Sequence, residues 1–88
     1  VMSNIIIYTS NACGYCNMAK QLLDSKNAKY SEVRIDLDEN QRAAMMERSG
    51  RRTVPQIFID DLHIGGFDEL KELENAGKLD SLLNNEGK

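Results

Sequence analysis

Residues 5–16 read IIIYTSNACGYC, and they indicate the architecture of this chain more clearly than any other segment. The three isoleucines and the tyrosine at 5–8 form an apolar run without alternation, which predicts a central strand, over residues 4–9, that is covered on both faces. A helix is expected next, over residues 14–26, because apolar side chains follow at helical spacing. These side chains are Cys16, Ala19, Leu22 and Leu23. A strand therefore leads into a helix, and both cysteines of the chain lie at that junction.

A second strand and a second helix follow. Alternation over residues 30–37 predicts a strand with one buried face. The side chains that this pattern turns inward are Val33 and Ile35. Asp38 is placed to cap a helix over residues 39–49, with Gly50 just after its last turn. The side chains expected on the buried face of this helix are Ala43 and Met46.

The C-terminal half predicts a hairpin and two helices. Strands are expected over residues 54–59 and 62–64, because β-branched and aromatic residues flank the two aspartates at 60–61. A third helix ends at Gly77, and a short fourth helix follows. Their apolar residues are Leu70, Leu73, Leu79, Leu82 and Leu83. The order β-α-β-α-β-β-α-α predicts an α/β fold with a four-stranded mixed sheet flanked by helices, because a crossover makes the first two strands parallel and the hairpin adds antiparallel partners.

The composition is that of one small globular domain. Of the 88 residues, 41% are hydrophobic, 28% are charged and one is proline, so we expect residues 1–88 to form a single domain. The longest aliphatic run, at 5–7, is far shorter than the roughly 18 residues of a membrane span, and no secretory signal is recognisable at the N-terminus. Residues 60–88 hold eight acidic and three basic side chains. This acidic end argues against nucleic-acid binding, which needs a continuous basic surface.

The spacing of Cys13 and Cys16 at a helix start predicts thiol chemistry. The thiolate is the reactive form of cysteine, and a helix N-terminus offers free amides and a partial positive charge that stabilise it. The offset of three residues puts Cys16 one turn inside the helix, so we expect Cys13 to attack and Cys16 to resolve. The helix terminus lowers a pKa by only about 0.2 to 0.7 units. Hydrogen bonds to the sulphur, from the amides of Tyr15 and Cys16 and from the Cys16 thiol, are therefore expected to provide most of the shift.

A lone cysteine pair is also compatible with three alternatives to redox chemistry. A zinc site needs two more ligands, and His63 is the single histidine in the chain. An inert disulfide over so short a loop stabilises little, and accidental spacing is the third alternative. Two cysteines are fewer than a secreted disulfide scaffold carries, which favours a reducing compartment, the cytoplasm.

Two further motifs narrow these alternatives. The segments TVP at 53–55 and HIGGFD at 63–68, in this order and spacing after CGYC at 13–16, resemble the glutaredoxin family. The resemblance covers nearly the whole chain and is to the short bacterial dithiol members. It implies a thioredoxin-like fold and a glutathione-dependent thiol–disulfide oxidoreductase. Its expected partners are glutathione and proteins that are glutathionylated or disulfide-bonded, with ribonucleotide reductase among the candidates.

The resemblance also implies roles for individual residues. Pro55 would follow a cis bond beside the Cys13 sulphur, leaving the Val54 backbone open to an extended peptide. The amides at the start of the third helix would hold the γ-glutamyl carboxylate, and Asp68 would meet its ammonium. Arg51 would lie near the glycine end, and His63 is given no chemistry. The full implied glutathione-binding set is Tyr15, Arg51, Thr53, Val54, Pro55, Gly66, Phe67 and Asp68. From the residues alone, proline would equally start a strand and Asp68 would equally cap a helix.

Two departures from the family pattern bear on function. Gly14 stands where many dithiol members have proline, and Ser10 stands where similar proteins often carry lysine. Family members with glycine at the position of Gly14 include some that bridge a [2Fe–2S] cluster between two protomers through the first cysteine and glutathione. A cluster-binding dimer is therefore the alternative to a monomeric oxidoreductase, with Cys13 as the ligand. A thioredoxin-like protein served directly by a flavin reductase is a third possibility.

Overall fold

The computed structural model describes residues 4–83. It confirms the expected order of four strands and four helices. The elements are β1 (Ile5–Thr9), α1 (Gly14–Ser25), β2 (Tyr30–Arg34), α2 (Glu39–Ser49), β3 (Gln56–Ile59), β4 (Leu62–Gly65), α3 (Phe67–Asn75) and α4 (Leu79–Leu83). Within this described range, no helix has the length and apolar character that crossing a membrane requires.

The four strands form one mixed sheet in the order β2-β1-β3-β4. β1 runs parallel to β2 and antiparallel to β3, and β3 and β4 form the antiparallel hairpin. In the centre of the sheet, Ile7 lies opposite Glu32 on one side and Ile57 on the other. The prediction of a central first strand with one parallel neighbour is therefore confirmed.

Apolar side chains cover both faces of this sheet. The larger cluster lies between one face and helices α1, α3 and α4. Its buried members are Ile5, Ile7, Ala19, Leu23, Ala28, Ile57, Ile59, Leu70, Leu79 and Leu83. The smaller cluster lies between the other face and α2, and its buried members are Tyr8, Ile35, Met45 and Phe58. Because alternate residues of β1 enter the two clusters, its uninterrupted apolar sequence is explained by burial on both sides.

The second strand is shorter than its sequence pattern predicts. β2 ends at Arg34, and Leu37 is 74% exposed, so the predicted strand over 30–37 is wrong at its C-terminal end. The ladder ends there because its partner β1 ends at Thr9, which pairs with Arg34. Ile35 is buried as expected, although it lies just outside the strand, where its N–H still donates to the Thr9 carbonyl at 2.9 Å.

The caps of α2 are as expected, but its buried face is not. Asp38 accepts a hydrogen bond from the Asn40 amide at 2.9 Å, and Gly50 ends the helix with φ +72°. Met46 is half-buried and packs against the smaller cluster as expected, but Ala43 is exposed and the fully buried residue is Met45, so the predicted stripe is wrong at Ala43. The apolar residues of α2 are consecutive rather than spaced by turns, so their pattern does not select one face.

Candidate active site

The two cysteines lie in the turn between β1 and the start of α1. Ala12, just before the pair, has φ +56°, a left-handed conformation that costs roughly 1–2 kcal/mol for a non-glycine residue. Cys13 is the N-cap of α1 with extended φ and ψ. Cys16 is one turn inside the helix and 1% exposed, while Cys13 is half-buried. The expected contrast between an accessible first sulphur and a buried second one is therefore confirmed.

The first sulphur has two close backbone neighbours. Cys13 and Cys16 are joined in a disulfide, with Cα atoms 5.2 Å apart. The Cys16 amide donates to Cys13 Sγ at 3.2 Å, and the Val54 carbonyl oxygen is 3.9 Å from the same sulphur. Among the described residues, the Tyr15 amide makes no such bond, so that expected donor is not observed. An N-cap side chain reaches the third amide of its helix here, and this leaves the second amide free.

The loop at 53–55 approaches the cysteine pair from β3. The Val54–Pro55 peptide bond is cis, as the resemblance implies. β3 begins at Gln56 rather than at residue 54, because proline has no N–H to donate to the ladder. A Cβ atom on Gly66 would lie 3.3 Å from the Pro55 carbonyl oxygen. The absence of a side chain at Gly66 thus lets the loop lie close to the start of α3.

A cleft of about 250 Å³ lies beside this loop. The residues that line it are Tyr15, Arg51, Thr53, Val54, Pro55, Gln56, Gly66, Phe67, Asp68 and Glu69. All eight residues expected to bind glutathione are therefore brought together on one surface. The rings of Tyr15 and Phe67 are stacked across it, with centroids 6.3 Å apart and planes at 28°. Because Val54 is both a cleft residue and the neighbour of Cys13 Sγ, the cleft adjoins the first sulphur.

Gln56 and Glu69 are cleft residues that the sequence motifs did not reveal. Glu69 Oε1 accepts a hydrogen bond from the Gly66 amide at 2.6 Å and lies 3.5 Å from Arg51 Nη1. The bond from the Gly66 amide, followed by the backbone amide of Glu69 itself and then the charge of Arg51, holds the pKa of the Glu69 carboxyl below its usual range. This is half of a capping box, because glycine has no side chain to complete it. The spacing Gly66-x-x-Glu69 was the available sequence signal.

The start of α3 has free donors. The N–H groups of Phe67 and Asp68 have no hydrogen-bond partner in the part of the chain that the structure describes. The first amides of a helix point outward with a partial positive charge, and they suit a carboxylate. With Arg51 also on the cleft, two separate positions favour negative groups of a ligand, while the Asp68 carboxylate favours a positive one.

Two residues near the motifs lie outside the cleft. Arg52 is exposed and does not line it. His63 lies on β4, where its ring stacks on Phe58 at 4.9 Å and its Nε2 is 2.8 Å from Gln56 Oε1. Burial, followed by the charge of Arg51, lowers the pKa of His63. The expectation that His63 is a strand residue is confirmed, and its lack of a direct chemical role stays a prediction.

The site offers few ligands for a metal. Residues 4–83 contain no group of three or more His, Cys, Asp or Glu side chains that could hold a metal ion. Iron–sulphur clusters take four ligands, typically thiolates. Cys13 is the one accessible sulphur at this site, because Cys16 is buried. The residues of a single chain therefore do not fit a [2Fe–2S] cluster.

The fold and the site together define a class of protein. A cysteine pair at the start of a helix, after the central strand of a four-stranded mixed sheet and beside a cis-proline loop, is the arrangement of a thiol–disulfide oxidoreductase with a thioredoxin-like fold. The glutaredoxin family model matches residues 5–64. The chain belongs to the glutaredoxin family.

Curated relatives and solved structures agree with this assignment. Glutaredoxin 3 of Escherichia coli is 52% identical over 82 residues, covering 93% of this chain and 99% of that protein. The solution structure of glutaredoxin from Brucella melitensis is 52% identical with a TM-score of 0.83, covering 93% of this chain and 89% of that chain. The crystal structure of a buckwheat glutaredoxin–glutathione complex is 34% identical with a TM-score of 0.85, covering 92% and 76%.

Proposed function

We propose that this protein is a glutathione-dependent oxidoreductase that reduces protein–glutathione mixed disulfides and protein disulfides. The observation that carries the proposal is the cleft beside Cys13, which gathers the eight predicted glutathione-binding residues on one surface. A buckwheat glutaredoxin of similar fold has been crystallised in complex with glutathione. The proposal therefore combines the chemistry of the cysteine pair with a ligand suited to the adjoining cleft.

Apart from Glu69, whose carboxylate is bonded to the Gly66 amide and lies near Arg51, the charged groups of the cleft match those of glutathione. Glutathione is an extended tripeptide with a carboxylate at each end and an ammonium beside the γ-glutamyl carboxylate. The free amides of Phe67 and Asp68 suit that carboxylate, and the Asp68 side chain suits the ammonium. Arg51 suits the carboxylate of the glycine end. The Val54 amide, which has no partner among residues 4–83, is available to the peptide backbone between them.

In the monothiol route, the Cys13 thiolate attacks the glutathione sulphur of a mixed disulfide. The old S–S bond breaks, and the protein sulphur leaves as a thiolate that takes a proton. Cys13 is then disulfide-bonded to glutathione. A second glutathione thiolate attacks the bound glutathione sulphur, which releases oxidised glutathione and restores the Cys13 thiolate. The hydrogen bond from the Cys16 amide stabilises this thiolate both as nucleophile and as leaving group.

In the dithiol route, Cys13 first forms a mixed disulfide with the target protein. Cys16 then attacks the Cys13 sulphur, the target leaves as a dithiol, and the Cys13–Cys16 disulfide holds the two electron equivalents of oxidation. The two residues are one helical turn apart and form this bond in the structure. Cys16 reaches Cys13 within the molecule. Because Cys16 is only 1% exposed, it is poorly accessible to a bulky external disulfide.

Serine substitutions test these roles. Cys13→Ser removes the nucleophile from both routes, so turnover of a glutathionylated peptide, coupled to NADPH oxidation by glutathione reductase, should fall to background. Cys16→Ser should keep most of that activity and lose most protein-disulfide reduction. Turnover by Cys13→Ser would contradict the assignment of the nucleophile. Equal turnover when thioredoxin reductase replaces glutathione and its reductase would contradict the glutathione dependence.

The proposal extends to setting and partners. The protein acts as a monomeric single domain in the cytoplasm, on glutathionylated or disulfide-bonded proteins such as ribonucleotide reductase. What supports the monomer is the complete cleft within one chain, and what supports a reducing compartment is the need to keep two thiols available for turnover. Cluster transport is not proposed: the described residues of a single chain supply too few ligands, so a cluster would need a dimer bridged through Cys13 and glutathione. A colourless, monomeric protein after anaerobic reconstitution with iron, sulphide and glutathione is the expected result.

A further inference from the structure

Gln56 is a buried amide that connects two parts of the molecule. Its side chain lies at the start of β3 and the residue is 1% exposed. Its Nε2 donates to the Thr53 carbonyl oxygen at 3.0 Å and lies 3.3 Å from Thr53 Oγ1. Its Oε1 lies 2.8 Å from Nε2 of His63 on β4. A continuous line of hydrogen bonds therefore runs from the outer strand of the sheet to the loop that lines the cleft.

The directions of these hydrogen bonds follow from chemistry. The Thr53 carbonyl oxygen can only accept, so Gln56 must turn its amide nitrogen toward it and its oxygen toward His63. That oxygen can also only accept, so Nε2 of His63 must carry a proton. Burial lowers the pKa of His63, which favours the neutral ring near neutral pH. A neutral imidazole has one N–H, and here it must lie on Nε2 rather than Nδ1.

Packing fixes the plane of the histidine ring. His63 and Phe58 are cross-strand partners, and their rings stack at 4.9 Å with planes at 30°. The Arg48 guanidinium lies 4.1 Å from the centroid of Phe58 and donates to the Tyr8 hydroxyl at 3.1 Å. The ring thus cannot swing without disturbing the β3–β4 pair and the smaller apolar cluster. Its N–H is held in one direction, toward Gln56.

We propose that Gln56 and His63 are positioning residues that hold the loop at residues 53–55 in the conformation that receives glutathione. Gln56 binds the Thr53 carbonyl and hydroxyl, and His63 holds the Gln56 amide in turn. Together they fix how Val54 and Pro55 face the cleft. Neither side chain has a contact with the Cys13 sulphur. The inference rests on the proposed glutathione dependence. It predicts that removing the line of bonds weakens recognition of glutathione without changing the nucleophile.

The first test replaces Gln56 by methionine. Gln56→Met keeps the length of the side chain and removes both its donor and its acceptor. The KM for a glutathionylated peptide should rise about tenfold with kcat within about twofold, because the loss acts on binding. The rate of Cys13 alkylation by iodoacetamide should stay at the wild-type value. Gln41→Met, the same change on the exposed side of α2, should leave all three quantities unchanged.

The second test removes the hydrogen bond between His63 and Gln56. His63→Phe keeps a ring to stack on Phe58 and removes the Nε2 proton, so it should also raise KM. The His63→Phe variant tests the proposal even if Gln56→Met does not fold. Nitrogen-15 NMR of the wild-type protein should show His63 as the Nε2–H tautomer at neutral pH. An Nδ1–H tautomer would overturn the hydrogen-bond assignment, whatever the kinetics show.

These readouts separate the inference from the proposed function. If the wild type turns over with glutathione and both variants keep the wild-type KM, the positioning role is wrong and the function stands. If alkylation slows in step with the change in KM, the residues act on the nucleophile, and the role proposed for them is overturned. If the wild type shows no glutathione dependence, the proposed function fails and the recognition role fails with it, while the tautomer still reports on the bonds.

Discussion

Substitution of Glu69 should separate the capping of α3 from charge pairing at the cleft. Glu69→Ala removes the acceptor of the Gly66 amide, which is bonded at 2.6 Å, and the partner of Arg51 at 3.5 Å. A cap of this kind contributes about 1 kcal/mol, whereas the ion pair, which is nearly half exposed on both sides, adds little. For 88 residues, 1 kcal/mol corresponds to a fall in Tm of about 5 °C.

The pH dependence of this difference in Tm tests the role of the carboxylate more directly than its size at one pH. The pKa of Glu69 in the folded protein is below its ordinary value of 4.5, so its stabilising effect is complete above pH 4.5 and is lost as pH falls through the folded value. The Tm gap between wild type and Glu69→Ala, measured by circular dichroism, should therefore be constant from pH 7 to pH 5. Below pH 4.5 it should narrow, because the protonated carboxyl still accepts the Gly66 hydrogen bond but has lost its charge.

Two matched variants complete this experiment. Glu69→Gln keeps an acceptor for the Gly66 amide and loses the charge, so its Tm should lie between those of wild type and Glu69→Ala, and its difference from Glu69→Ala should not depend on pH. Glu72→Ala, on the exposed part of the same helix, should change Tm by less than about 2 °C. A full-sized gap that persists at pH 3 would refute the carboxylate cap.

Three further changes have defined outcomes. Thr9→Val removes the hydrogen bond of 2.6 Å from the Thr9 hydroxyl to Glu32, which is the largest cause of the lowered pKa of Glu32. The free energy of unfolding, measured in urea, should fall by about 1 kcal/mol at pH 7 and by less below pH 4.5. Gly65→Ala should cost about 2 kcal/mol, because φ is +117° and the added Cβ would lie 2.7 Å from Glu69 Oε1. Gly14→Pro should stabilise by about 0.5–1 kcal/mol, because this first helical position has no atom within 4 Å of its Cβ direction and follows an extended residue.

Two of these changes have a control variant, and the third has an outcome that would contradict it. Gly77→Pro places proline at φ +73°, so it should destabilise where Gly14→Pro stabilises, and the same sign for both would contradict the argument. Combining Gly65→Ala with Glu69→Ala removes the side chain that the new Cβ meets, so the combined cost should be less than the sum of the two separate costs. A Thr9→Val variant with unchanged stability at pH 7 would show that the bond to Glu32 contributes nothing net.

The features that sequence predicted well are those with a local cause. The apolar run of β1, the Asp38 cap and Gly50 are specified by side chains within a few residues of each other, and the structure has them in the expected places. The position of Cys16 inside α1 and of Cys13 at its start likewise follows from a spacing of three. Gathering of the cleft residues was predicted by resemblance rather than by any local pattern.

The features that sequence missed depend on distant partners. β2 ends at Arg34 because its partner β1 ends at Thr9. The sequence of residues 30–37 does not indicate how long β1 is. The bonds from Gln56 to Thr53 and His63 depend on how β3 and β4 align. In α2, Met45 rather than Ala43 packs against the sheet. The apolar residues of this helix are consecutive, so tertiary packing, and not the sequence pattern, determines which face is buried.

The position of the site on the inner strands has a consequence for local unfolding. Cys13 follows β1 and Val54 precedes β3, and these are the two strands with neighbours on both sides. Fraying of β2 or β4 at the margins of the sheet would leave the reactive sulphur and the nearby carbonyl anchored. Backbone amides in β1 and β3 should accordingly exchange with deuterated solvent among the slowest in the molecule, only a few residues from its most reactive atom.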